Sequence, residues 1–284
     1  MGRIIVVAAF VAIGILTAAF PPAILAVYAA AIFVVPWLIV RAARFQARNT
    51  SWSNVRFDFK GTYGDAFVTF ILMPIGVTLT LQLTLPFLTR RANRFFVGGH
   101  RLGDRAFDMK APISSIYLAF LASIGFAMVA LLILGVAVGG TVASQLAAFD
   151  PTDPASANAL QIVPILVYFA LIFAFLPAAV IYRAMVRNTI YAHTVLEGGH
   201  RFISSVRPLR MLALVVTNVI VVVCTLGLAL PWAQIRLARF MAYNTAVVPI
   251  GSLDAFAGKV QADQSAIGDA FADLEGFDIG AAAI

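Results

Sequence analysis

Apolar residues gather in six runs, at residues 4–20, 23–40, 65–89, 113–140, 159–182 and 211–235, with polar residues in the intervals. A helix needs about 20 residues to cross a bilayer. The fourth and fifth runs exceed that length. The first two are short, and Pro21-Pro22 between them cannot continue a helix comfortably, so they read as a tight helical hairpin. A cleaved signal peptide is the rival reading of the start: Arg3, an apolar run, then small residues. The second run follows at once, which favours the hairpin. The third run contains Pro74-Ile75-Gly76, a natural break that would leave two halves too short to span. The sixth offers only Asn218 and Gly227 as candidate breaks.

Three runs end in one phrase, Pro-x4-Arg-x2-Arg-Phe. It occurs at Pro36/Arg41/Arg44/Phe45, Pro86/Arg91/Arg94/Phe95 and Pro231/Arg236/Arg239/Phe240. The first and third copies continue to Asn49-Thr50 and Asn244-Thr245. Proline near a helix end limits the last turn. Trp37 and Trp232, one residue after their prolines, suit the level where an indole sits half in lipid and half in water. Arginines three apart share a helix face. The expected membrane-interface and anion contacts are therefore Trp37, Arg41, Arg44, Arg91, Arg94, Trp232, Arg236 and Arg239. Their simplest role is to fix helix depth against lipid phosphates. The sharper alternative is an arginine ring at a cytoplasmic vestibule that draws anions.

Composition makes lipid the solvent. Of 284 residues, 62% are hydrophobic and 12% charged, whereas a soluble domain carries about 25% charged residues. Twenty Lys and Arg against 13 Asp and Glu suit loops lying on anionic phospholipid head groups. The basic residues sit at the ends of apolar runs and form no continuous patch, which excludes nucleic acid as the expected partner.

Charge also bears on orientation. The interval 141–158 has no Lys or Arg and holds Asp150 and Asp153, so it reads as external. Intervals 41–60, 90–112, 183–210 and 236–284 hold 5, 6, 5 and 3 basic residues, and Arg3 completes the 20. Six simple crossings would split them 11 against 9. If the third and sixth segments enter and leave on one side, the split is 20 to 0. Length favours tilted crossings and charge favours re-entry, so the crossing parity of these two segments stays open. Both termini are expected in the cytoplasm of a multi-pass protein.

Residues 56–95 align without a gap onto 201–240, at a constant offset of 145. Arg56/Arg201, Phe57/Phe202, Thr80/Thr225, Leu81/Leu226, Pro86/Pro231 and Arg91/Arg236 are among the shared identities. A looser copy follows the fifth run at Pro177, Arg183 and Arg187-Asn188-Thr189. The expected fold is all-α: a polytopic membrane helical bundle of six apolar segments built from two three-segment repeats, with a C-terminal amphipathic helix. The halves run over 1–110 and 111–250. The tail, 251–284, carries Phe256, Val260, Ile267, Phe271 and Leu274 at helical spacing among acidic residues, with Ser252 as a plausible N-cap. It is expected to pack on the basic face of its own protein.

Candidate chemistry is sparse. The apolar runs hold no Lys, Arg, Glu or His, which argues against a proton-driven pump. Thr80, Gln82, Asn218 and Thr225 are the possible path-lining residues, and interhelical hydrogen bonding is the blander role for each. Gly-Gly-His-Arg occurs at 98–101 and 198–201, with His193 nearby. No carboxylate or Cys stands at ligand spacing, so these read as glycine turns leading into a strand or helix, and no metal is expected. Cys224 reads as a small buried apolar residue. No catalytic set is visible, so neither an enzyme nor a cofactor is expected.

These residues resemble the YjgN-like family of bacterial inner-membrane proteins. The likeness rests on Pro36-Trp37 through Asn49-Thr50, Phe57-x-Phe59-x-Gly61, Thr80-Leu81 through Phe95, Thr225-Leu226-Gly227-Leu228 through Pro231-Trp232-Ala233, and Arg236, Arg239, Phe240 and Asn244-Thr245. The closing Phe277-Asp278-Ile279-Gly280 also looks like that family's tail. The chain departs at its start, where the family often has a further copy of the repeat. The resemblance implies a polytopic inner-membrane protein and brings no activity. Two functions are carried forward: first a small-solute transporter or channel, and as its alternative a non-transporting membrane scaffold binding lipid or protein at the cytoplasmic face.

Overall fold

The computed structural model describes residues 14, 20, 22–150, 152, 161–253 and 255–263. The first apolar run and the tail beyond 263, including Ile267, Phe271 and Leu274, fall almost wholly outside them. The chain divides into two compact units. The first is Met1–Asp108 with Leu196–Gly198 and Ile250–Ile284, and the second is Met109–Val195 with Gly199–Pro249.

The first unit opens with α1, Ala23–Arg48. Its 26 residues measure about 39 Å at 1.5 Å per residue, enough to cross a bilayer. Strands β1 (Ser51–Trp52) and β2 (Val55–Phe59) follow as an antiparallel hairpin. Ser53 (φ 47°) and Asn54 (φ 62°) form its two-residue turn. Positive φ at both positions gives the twist that joins antiparallel strands, and asparagine tolerates it better than most residues. Next come α2 (Tyr63–Phe67), a π-helical turn (Val68–Leu72) and α3 (Met73–Leu79). Thr62 caps this limb: its hydroxyl accepts from the Asp65 amide at 3.2 Å and donates to the Asp65 carboxylate at 2.8 Å. After a turn at residues 80–84, α4 (Leu85–Gly99) returns. It leads into β3 (His100–Leu102) and β4 (Arg105–Met109). Strand β3 pairs antiparallel with β2, setting Phe57 opposite Leu102 and Phe59 opposite His100.

Phe59 holds this unit together. It is 1% exposed and packs with Val40, Ala43 and Ala47 of α1, Ala66 of α2 and Phe95 of α4. Phe95 and His100 meet its ring edge-on, with centroids 5.4 and 5.1 Å away. Gly61 and Gly99 lie so close to the ring that a Cβ on either would fall inside its van der Waals shell. That is the local reason for glycine in the first Gly-Gly-His-Arg. In the second copy, Gly198 (φ 106°) and Gly199 (φ 90°) take backbone angles that other residues adopt with strain.

The tail helix also belongs to this unit. Ser252 caps it, its hydroxyl accepting from the Ala255 amide at 3.3 Å. Ala257 and Val260 are buried. Gln261 donates to the Ser53 carbonyl at 2.6 Å, and Asp263 pairs with Arg105 at 2.6 Å. Arg105 also faces Asp104 at 3.2 Å and Glu197 at 3.9 Å.

The second unit is built on α5 (Ile113–Ala147) and α6 (Ile162–Ala192), of 35 and 31 residues. They pack along one another. Their buried positions include Ala119, Ser123 and Ala127 on α5, and Ala174, Ala178 and Ala184 on α6. Small residues four apart let two backbones approach closely, the main source of helix association where lipid removes the hydrophobic drive. Strands β5 (Thr194–Leu196) and β6 (His200–Ser204) follow. Then come α7 (Pro208–Cys224), α8 (Leu230–Tyr243) and β7 (Thr245–Val248), which pairs antiparallel with β6. Asn188 of α6 ties the helix to this segment. Its amide donates to the Val206 carbonyl at 2.8 Å, and its oxygen accepts from the Ser204 hydroxyl and the Val206 amide.

Two expectations are overturned here. The fold is not all-α, since seven strands occur among the described residues. Nor do the six apolar segments appear as six long apolar helices: among the described residues three, α1, α5 and α6, are long and apolar enough to cross a membrane. The third and sixth runs are each folded into two antiparallel limbs. The break in the third run is at residues 80–84 and not at Pro74-Ile75-Gly76. Pro74 stands at the start of α3, directly after the π-helical turn. The proline ring lacks an N–H to donate, and the wide turn lets the chain pass it without breaking. Cys224 is exposed at the end of α7 rather than buried.

Replacing Gly99 with alanine forces a methyl into the Phe59 ring and is expected to destabilise the first unit by about 1–3 kcal/mol. Thermal unfolding in detergent measures this, and Phe59→Leu should restore part of the loss in the Gly99→Ala background. A second expectation concerns Asp58, 3.2 Å from Lys60 and 3.6 Å from Arg48. Partial burial opposes its ionisation, but the Phe59 amide, Lys60 and Arg48 outweigh burial and lower its pKa. The stabilisation is therefore fully present above the ordinary carboxylate pKa and is lost as pH falls through the lowered folded value. An Asp58→Asn variant should unfold with a flatter dependence on acid pH.

Candidate functional site

The elements of the two helical hairpins begin at one constant sequence offset. Strand β2 and β6, the limbs starting at Tyr63 and Pro208, and the limbs starting at Leu85 and Leu230 all obey the same offset of 145. The turns agree bond for bond. The amides of Thr80, Leu81 and Gln82 donate to Gly76, Thr78 and Val77, and those of Thr225, Leu226 and Gly227 donate to Val221, Val223 and Val222. Leu81 (φ 49°) and Gln82 (φ 68°) match Leu226 (φ 51°) and Gly227 (φ 91°). The hydroxyls complete the pattern. Thr80 bonds the Gly76 carbonyl at 2.8 Å, and Thr225 bonds the Val221 carbonyl at 2.8 Å. Pro86 and Pro231 stand in the first turn of each returning limb, where no amide partner is available.

The tips carry leucine. Leu81 is 87% exposed, Leu226 94% and Leu228 86%, with Leu79 and Leu83 also exposed. Water would disfavour such a cluster, and hydrocarbon would accept it. Backbone in hydrocarbon must satisfy itself internally, and the turn bonds described above do this at both tips.

An arginine from each returning limb reaches back to the first. Arg236 donates to the Thr217 hydroxyl and the Asn218 carbonyl oxygen, both at 2.8 Å. Asn218 is buried and also donates to the Ala233 carbonyl at 3.2 Å. Arg91 donates instead to the Thr69 hydroxyl at 3.1 Å and faces Asp65 at 3.8 Å. The indoles of Trp37 and Trp232 are half-exposed, and Arg41 and Arg236 stack over them, each 5.2 Å from the ring centroid. Arg44, Arg94 and Arg239 are exposed.

Of the expected path-lining residues, Thr80 and Thr225 bond their own limbs, and Asn218 is occupied by Arg236 and Ala233. Gln82 is exposed at the first tip. Asp65 and Thr69 were not anticipated as partners of Arg91. The offset pairing Arg91 with Arg236 was the signal available for them. His100 and His193 each place Nδ1 against the carbonyl four residues earlier, of Phe96 at 2.6 Å and Thr189 at 2.8 Å.

Three helices of spanning length together with two leucine-tipped hairpins define a membrane protein. The chain belongs to a family of bacterial proteins of unknown function, DUF898, whose model matches residues 1–274; this is the YjgN-like family of the sequence resemblance. No curated protein and no solved structure matches it.

Asn218→Ala removes an acceptor from Arg236 and a donor from the Ala233 carbonyl in one step. Taking the side-chain donor from the buried Ala233 carbonyl and leaving Arg236 with Thr217 alone on the first limb is expected to destabilise the second hairpin by about 1–3 kcal/mol. Hydrogen exchange across residues 230–243 should rise in this variant and change little in Thr78→Ala, whose hydroxyl bonds only the carbonyl of Pro74.

Proposed function

We propose that the protein is a non-conducting, multi-pass scaffold of the bacterial inner membrane that gathers anionic phospholipid along its cytoplasmic face. The observation that carries this reading is how the polar groups of the hairpins are used. Among the described residues, Thr80 and Thr84 bond each other, Arg91 bonds Thr69, and Asn218 is held between Arg236 and the Ala233 carbonyl, so these polar side chains are engaged within their own hairpins. The surplus arginines of the returning limbs face outward. Arg94 and Arg239 are exposed, and on this reading they meet lipid phosphates.

Hairpin geometry also supports one orientation. If each hairpin returns to the side it left, the 19 Lys and Arg from Arg41 onward fall on one side of α1, α5 and α6, which the positive-inside rule makes cytoplasmic. A conduit for a small solute is the second reading, favoured by the duplication of the halves.

Sidedness and flux test the proposal together. In a Cys224→Ser background, single cysteines at Ser51 and Gly98 flank the first hairpin; a Cβ at Gly98 meets no atom nearer than 3.9 Å. Both should resist an impermeant thiol reagent in intact cells and react after permeabilisation. Labelling on opposite sides would mean that the segment crosses, which overturns the orientation. Proteoliposomes should show no solute flux above empty vesicles, and purified protein should retain phosphatidylglycerol over phosphatidylethanolamine. Flux, or no such preference, would overturn the scaffold reading.

A further inference from the structure

The two hairpins share a backbone and differ inside. In the second, Arg236 is held at Thr217 and Asn218, and the Asn218 amide bonds across to the Ala233 carbonyl. This polar clasp joins the limbs near the tip. The offset of 145 places Leu72 and Met73 of the first hairpin at these two positions, and Gly76 where the second has Val221. Arg91 is drawn one turn further from the tip, to Thr69 and Asp65. The first limb widens through the π-helical turn Val68–Leu72, whereas α7 is regular α-helix throughout. Single π-turns of this kind recur at functional sites.

The result is a groove of about 400 Å³ between the limbs, walled by Leu72, Met73, Gly76 and Val77 on one side and Phe87 and Leu88 on the other. Its volume lies within the roughly 300–1,000 Å³ of small-ligand sites. The groove opens beside the leucine tip, and Arg91 and Arg94 continue the face of α4 that carries Phe87, four and seven residues on. Helix α4 holds three arginines and no acidic residue. Asp65 lies near Arg91, while Arg90 and Arg94 make no ion pair among the described residues. Thr80 and Thr84 also line the groove, and a mainly apolar slot with arginines further along α4 suits an acyl chain ending in a phosphate.

We propose that this groove is a binding site for one acyl chain of an anionic phospholipid, with the head-group phosphate at Arg91 and Arg94. The site rests on the scaffold reading above and gives it a specific lipid contact. It makes the first hairpin the lipid-holding copy and leaves the second, clasped shut, as a structural one.

The test uses the full chain in nanodiscs of phosphatidylethanolamine and phosphatidylglycerol, doped with phosphatidylglycerol bearing a diazirine on its acyl chain. After photolysis, adducts mapped by mass spectrometry should concentrate on residues 72–77 and 87–88, and not on 217–222 and 232–233. Gly76 lines the groove and a Cβ there meets no atom within 4 Å, so Gly76→Leu is the variant chosen to fill it. It should cut the adduct about tenfold, the effect of excluding roughly two buried methylenes, while Val221→Leu leaves it unchanged. If Gly76→Leu does not purify as a single species, Met73→Trp fills the same space and is read in the same way. Arg91→Gln with Arg94→Gln should abolish the preference for phosphatidylglycerol over a zwitterionic probe. Equal adducts on both hairpins, or adducts indifferent to both filling variants, would overturn the groove. Total retained phosphatidylglycerol separates the two levels. If it persists while adducts scatter, only the groove fails; if it falls to the level of empty discs, the scaffold reading fails as well.

Discussion

Backbone amides and carbonyls cannot be left unpaired in hydrocarbon, where each would cost several kcal/mol. The hairpin tips meet that constraint within a few residues. A left-handed pair closes the first limb, a threonine hydroxyl bonds the carbonyl of the preceding turn, and proline begins the second limb where no amide partner exists. Once these groups are paired, the outward side chains are free to be leucine, and the tip can enter a membrane that would exclude an ordinary loop. The returning limb then brings its arginine to a fixed place on the first.

On this common frame the two copies have taken different polar interiors. One uses asparagine and threonine near the tip and closes. The other uses leucine, methionine and glycine there and stays open, with its arginine tied further back by threonine and aspartate. Difference within identity is informative here, because the shared backbone removes the usual explanation that two sites differ because their folds do. In the first unit, Phe59 fixes the frame by joining α1, both limbs' outer ends and the strands around one ring.

Much of the architecture was legible from residues alone. The repeated phrase and the offset of 145 marked the two stretches that fold as hairpins, whereas length and charge together left open whether those stretches cross or return. The position of the first break was not legible. Leu81-Gln82 carries none of the glycine or asparagine that marks left-handed backbone, and only its twin Leu226-Gly227 does so. The strands were missed because they are two to five residues long and lie beside far stronger apolar runs. Their signal was present in the alternation Val55-Arg56-Phe57-Asp58-Phe59 and Arg105-Ala106-Phe107-Asp108-Met109, each preceded by a two-residue turn at Ser53-Asn54 or Gly103-Asp104. At the candidate site, the arginines were expected at the interface, but their specific partners required the folded limbs.

The constancy of the offset, from strand through both limbs to the next strand, sets a rule for how this chain can vary in length. One residue added or removed within a limb turns everything beyond it by about 100°. On the returning limb that would swing the arginine from its partners toward lipid and carry proline off the first turn. The two hairpins differ at most positions inside, yet residues 56–95 align with 201–240 without insertion or deletion. The hairpins tolerate change of chemistry and refuse change of count.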